Sequence, residues 1–185
     1  MGEQHKKHNR REHLNDFHLN IAGEYVYDGA LYACQNDDAK QRRSKRAVWG
    51  MAAILTVAVA AGGCIPAPGM QNCFYVLLPY LGEFLGAASV IWALAKLGTD
   101  WGTVREYNYK KSVAVLPVRT VVTAVFSLLG IVCELIFFFV NDHAGQTFFA
   151  LLYVLLKLIA LLSVLVLRAE IMQAEWDKLP KKNNF

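Results

Sequence analysis

The sequence predicts an all-α membrane protein, a four-transmembrane-helix bundle with cytoplasmic N- and C-termini and a small ordered or hairpin-like N-terminal segment. Three observations predict it. The chain is 55% hydrophobic, and that share is gathered in four blocks rather than spread along 185 residues. Each block is apolar on all sides over the length that crosses a bilayer, about 17–25 residues. The Lys and Arg residues fall almost entirely on one side of the resulting threading.

The first segment, residues 1–46, is polar and charged. The first apolar block therefore reads as an internal span and not as a cleaved leader. Residues 1–15 read as a solvated arm. Its histidines His5, His8 and His13, with His18 beyond, do not put three imidazoles on one helical face, so no metal site is expected. Residues 16–34 are different. Phe17, Leu19 and Ile21 alternate with polar residues, Tyr25 and Tyr27 continue the alternation, and Asp28-Gly29 is a hairpin turn signal. A small hairpin against the membrane surface is expected there.

The transmembrane domain, 47–168, contains spans at about 48–65, 74–97, 118–140 and 147–167. The run QRRSKR (41–46) precedes span one, and the segment between spans two and three carries Arg105, Lys110 and Lys111. The two other connections, IPAPGMQNC and NDHAGQ, carry neither Lys nor Arg. The positive-inside rule then puts both termini and the central loop in the cytoplasm, and the expected location is the cell membrane, crossed several times. Of the 19 Lys and Arg, the exception is Lys157, in the middle of span four. The net charge of +4 thus reports orientation, and no nucleic acid partner is expected.

In the central loop, Thr103-x-x-Glu106 has the form of a capping box. It predicts a helix starting at Thr103 and running into span three, with a kink at Pro117. After span four, RAEIMQAEWDKL predicts a helical extension over 169–179, stopped by Pro180. Ile171, Met172, Trp176 and Leu179 would give it a face for the central-loop helix or a protein partner. Cys64 and Cys73 bracket the first outer loop and are placed for a disulfide if the outside is oxidising. Cys34 and Cys133 read as a reduced thiol and a packing residue.

The residues that invite chemistry lie inside the spans. Thr120, Thr123, Ser127, Gly130 and Glu134 recur at offsets of three and four, so they share one stripe of span three. Gly82 and Gly86 form a close-packing motif on span two, beside Glu83. Tyr153 and Lys157 lie one turn apart on span four. Counted along the helices at ~1.5 Å per residue, Glu83, Glu134 and Lys157 lie roughly 9–15 Å below the outer boundary. A single intramembrane charge cluster of Glu83, Glu134, Lys157 and Tyr153 is expected. Gly82, Gly86 and Gly130 would let the helices approach.

Two functions follow from that cluster. The charges can fix helix partners in a non-enzymatic accessory, scaffold or partner-binding subunit, which would bind protein through the N-terminal segment or the C-terminal helix. Alternatively the surplus carboxylate can bind a proton or cation in a small transporter or channel subunit, working as a homodimer. The sequence carries no HExxH, GxSxG or phosphate-binding glycine loop, and no Asp or His lies in a span. Neither an enzyme nor a cofactor is expected.

Overall fold

Four long apolar stretches have no acceptable way to satisfy their peptide groups in hydrocarbon except as helices. The computed structural model describes residues 17–19, 23, 25–27, 29–98, 101–141 and 147–179. The predicted arm 1–15, most of the loop after Val140 at 142–146 and the tail from Pro180 lie outside the described residues. The long helices are α1 (Asp38–Cys64), α3 (Phe74–Leu97), α5 (Leu116–Val140) and α6 (Thr147–Met172). Each is long and apolar enough to span a membrane. Large apolar side chains such as Val57, Leu85, Leu128 and Leu151 face outward, as lipid contact requires.

In the bundle α1 packs on α6, α6 on α5, and α5 on α3; α3 closes the ring against α1. Gly82 and Gly86 explain the α3–α5 seam. A Cβ at Gly82 would meet the Phe126 ring at 2.5 Å, and one at Gly86 would meet Thr123 Cα at 3.2 Å. The motif is therefore used within the chain and is not available as the seam of a dimer. Gly130 is less demanding. A Cβ there would sit 3.6 Å from the Lys157 side chain, an ordinary contact.

Helix α1 begins ten residues before the apolar block, at Asp38. QRRSKR is thus helical, and Asp38 in the first turn suits the positive end of the helix dipole. The central loop departs from expectation. Thr103 is not an N-cap: Val104–Arg105 is a strand, β4, and a six-residue helix, α4 (Glu106–Lys111), starts after it. Glu106 faces Lys110 in an ion pair at 2.6 Å instead of reaching back. Pro117 does not kink a continuous helix. It occupies the first turn of α5, where a missing N–H costs nothing.

The N-terminal hairpin is present, but its turn is not at Asp28-Gly29. β1 (Phe17–Leu19) pairs with β2 (Tyr25–Tyr27) in the register Phe17↔Tyr27, so the chain reverses between Leu19 and Tyr25, around Gly23 with φ +78°. Only glycine takes that φ freely. Leu31–Cys34 is a separate strand, β3.

The predicted helical extension after span four is also corrected. α6 stops at Met172, and Trp176–Lys178 is a strand, β5. β3 is the centre of an antiparallel three-stranded sheet, β4-β3-β5, with Tyr32 opposite both Val104 and Lys178. Leu179 N–H donates to the Leu31 carbonyl at 2.8 Å and extends the pairing. Helix-forming residues lost here because the strand pairing and the ring of Trp176 both find partners. Trp176 lies 6.0 Å from Trp101 and 5.9 Å from Tyr109, and Tyr109 stacks on Tyr32 at 4.2 Å. This aromatic layer is continuous with the buried cluster of Val48, Val90, Leu94, Leu116 and Leu167. The sheet is therefore docked on the end of the bundle where α6 ends and α5 begins.

Two half-buried guanidiniums brace the same end. Arg119 donates to the Ser89 carbonyl at 2.5 Å, joining α5 to α3. Arg168 donates to the Pro117 carbonyl at 2.6 Å, joining α6 to the start of α5.

Candidate intramembrane charge site

Glu83, Glu134, Lys157 and Tyr153 are all buried, with at most 2% of their surface exposed. Direct contact joins two of the charged groups. The Lys157 ammonium pairs with the Glu83 carboxylate, across from α6 to α3. Ser127 of α5 donates to the other oxygen of Glu83 at 2.5 Å. Three helices thus meet on one carboxylate. The ammonium also lies 4.6 Å from the centre of the Tyr80 ring and 5.1 Å from that of Tyr153. Aromatic faces carry partial negative charge, so both rings stabilise the cation.

Glu134 is not part of that ion pair. It follows Ser127 by seven residues on α5, or about 10 Å along the axis toward the loop end. Its partner comes from the loop between α1 and α3. That loop is not a simple connection: Pro68–Asn72 forms a short helix, α2, with Pro68 and Gly69 buried. Gly69 N–H donates to Glu134 Oε1 at 3.4 Å. A Cβ at Gly69 would collide with the Glu134 carboxyl and press on Val76 at 3.1 Å, so a larger residue would push that carboxyl aside. Asn72 closes α2 by donating to the Pro68 carbonyl at 2.9 Å.

Glu134 Oε2 and the Tyr153 hydroxyl are buried and make no hydrogen bond among the described residues. Tyr153 lies one turn from Lys157 toward the loop end, on the Glu134 side of the ion pair.

The insertion of α2 also bears on the cysteines. Cys64 and Cys73 are free thiols, not a disulfide. The chain between them is taken up by the descending helix, and Cys64 ends α1 exposed. Sequence reasoning missed Tyr80 and Gly69. An apolar loop such as IPAPGM was the available signal, because a loop in water has little reason to be apolar. Among the described residues, no group of three His, Cys, Asp or Glu side chains is arranged to hold a metal.

No family model, curated protein or solved structure matches the chain.

Proposed function

We propose that this is a non-enzymatic integral membrane protein that serves as an accessory, scaffold or partner-binding subunit, with both termini and the sheet in the cytoplasm of a cell bounded by the membrane it spans. The observation that carries this reading is the sheet. Three remote segments, 31–34, 104–105 and 176–178, are gathered into one platform at the end of the bundle. β5 pairs with β3 alone among the described residues, and an open strand edge is a surface that partner strands use.

The ion pair supports the same reading. Lys157 is taken up by Glu83, and Glu83 by Ser127 as well, so these groups link helices rather than line a path. The threading rests on the Lys and Arg asymmetry of the sequence. The test is purification from native membranes after mild crosslinking. A partner in fixed stoichiometry should be retained by the intact chain and by Glu134→Gln. It should be lost from a chain truncated after Glu175, which lacks β5. Retention by the truncated chain would overturn the role of the sheet.

A second reading is favoured by one observation, the unpartnered Oε2 of buried Glu134 facing the same interior as the unpartnered Tyr153 hydroxyl. In that reading Glu134 binds a proton or cation in a small transporter or channel subunit, working as a homodimer. Proton flux in liposomes, abolished by Glu134→Gln, would support it. Flux equal in the variant and the intact chain would reject it.

A further inference from the structure

Where α1 enters the bundle and α6 leaves it, a cavity of about 230 Å³ is lined by Asn36, Lys40, Arg43, Ser44, Glu170 and Gln173. It is wider than a few water molecules, each of which takes ~30 Å³ in the liquid, and smaller than the usual drug-sized pocket. Every lining residue is polar, unlike the apolar walls that most small-molecule sites present. Lys40, Arg43 and Ser44 share one face of α1, and Glu170 and Gln173 share one face at the end of α6.

The charges on this cavity are of both signs, yet they do not neutralise one another. Lys40 and Arg43 form no ion pair with Glu170, although all three face the same space. Two cations on one wall and a carboxylate on the other match a group that carries a phosphate and an ammonium together. Arg43 supplies the fork that suits phosphate oxygens, and Lys40 a second cation. Glu170 would accept hydrogen bonds from a primary ammonium, which a trimethylammonium cannot donate, and would repel a purely anionic group.

The depth fits a lipid. Val48 and Leu167 are fully buried in the apolar cluster at this end. Arg43 precedes Val48 by five residues, about 8 Å along the axis, and exposed Lys40 stands a further turn out, from where its long side chain reaches back to the headgroup layer. Glu170 follows Leu167 by three, about 5 Å. The headgroup layer is ~5–8 Å thick on each face of a bilayer. We propose that this cavity binds the headgroup of an aminophospholipid, with the phosphate on Lys40 and Arg43 and the ammonium on Glu170. The inference needs only that the bundle sits in a membrane, and it holds under either functional reading.

The experiment uses the full chain purified in detergent. Short-chain phosphatidylethanolamine, phosphatidylcholine and phosphatidylglycerol are added in turn, and bound lipid is counted by native mass spectrometry. Phosphatidylethanolamine should be retained roughly tenfold better than the other two, a difference worth ~1.4 kcal/mol. The paired substitution Lys40→Gln and Arg43→Gln should remove that retention. Glu170→Gln should raise phosphatidylglycerol to the level of phosphatidylethanolamine, an effect that damage to the fold would not produce. Equal retention of the three lipids by the intact chain, or an unchanged preference in Glu170→Gln, would overturn the proposal. Free phosphoethanolamine should fail to displace the lipid at equal concentration. Full displacement by it would instead assign the cavity to a soluble amino-phosphate and overturn the lipid.

Discussion

Lys157 on α6 and Glu83 on α3 form a buried ion pair across 74 residues of sequence, and Ser127 on α5 donates to the same carboxylate. Burying an ion pair brings little net stability, because both charges leave water. Breaking one by removing a single partner is costly, because the other charge is left alone in a medium that cannot solvate it.

That asymmetry gives the first prediction. Lys157→Met should destabilise the bundle by about 3–5 kcal/mol. Adding Glu83→Gln to Lys157→Met should restore part of the loss, because the orphaned charge is then gone. Unfolding in mixed micelles measures both. Strictly additive losses would show that the two side chains do not depend on each other.

The glycine seam gives the second. Gly86→Ala places a Cβ against the Thr123 backbone and should cost about 1–3 kcal/mol, as overpacking does. Gly82→Ala meets a ring that can turn and should cost less. Gly50 has open space around its Cβ position, so Gly50→Ala should be neutral or stabilise by up to ~1 kcal/mol through helix propensity. The order of the three unfolding midpoints is the check.

The sheet gives the third. Trp176 is half-buried and holds β5 against Trp101 and Tyr109. Trp176→Ala should cost about 1–3 kcal/mol, less than the ~3–5 of a fully buried tryptophan. The loss should be local. Trypsin should cut at Arg105, Lys110 or Lys111 faster in the variant, while the spans stay protected. Unchanged cleavage would mean that the sheet stands without its aromatic layer.

The thiols give the fourth. Cys64 is exposed at the loop end, and Cys34 lies in the central strand at the other end. With the proposed threading, a membrane-impermeant maleimide added outside intact cells should label Cys64 and leave Cys34 untouched. Labelling of Cys34 first would reverse the orientation. Mass spectrometry of the labelled peptides distinguishes them.

Gly69 gives the fifth. Gly69→Ala sets a Cβ against the Glu134 carboxyl and Val76, so the Gly69–Glu134 hydrogen bond should be lost, the loop should lift and Cys73 should react faster with a thiol reagent. Glu134→Gln retains an oxygen for the Gly69 N–H and should leave that rate unchanged. A slow Cys73 in both variants would show that α2 is held by other contacts.

The sequence by itself determined the four spans, their one-sided charge, the small-residue face of α3 and the polar stripe of α5. These are properties of composition and of helical period, and lipid enforces both wherever the chain is placed in a bilayer. It also picked out each buried charge, because an ionisable residue in an apolar run is visible without any partner. The tertiary structure decided which of them meet. Glu83 and Lys157 pair because α3 and α6 both turn these side chains into the interior, where Ser127 of α5 also reaches Glu83, whereas Glu134 accepts from a loop helix that packs against it. It also decided that residues 176–178, helical by propensity, are a strand, since their partners lie in segments remote along the chain. Depth along one helix follows from counting residues. Contact between helices follows from how each is rotated and which loop folds back, and neither of those is written in a local pattern.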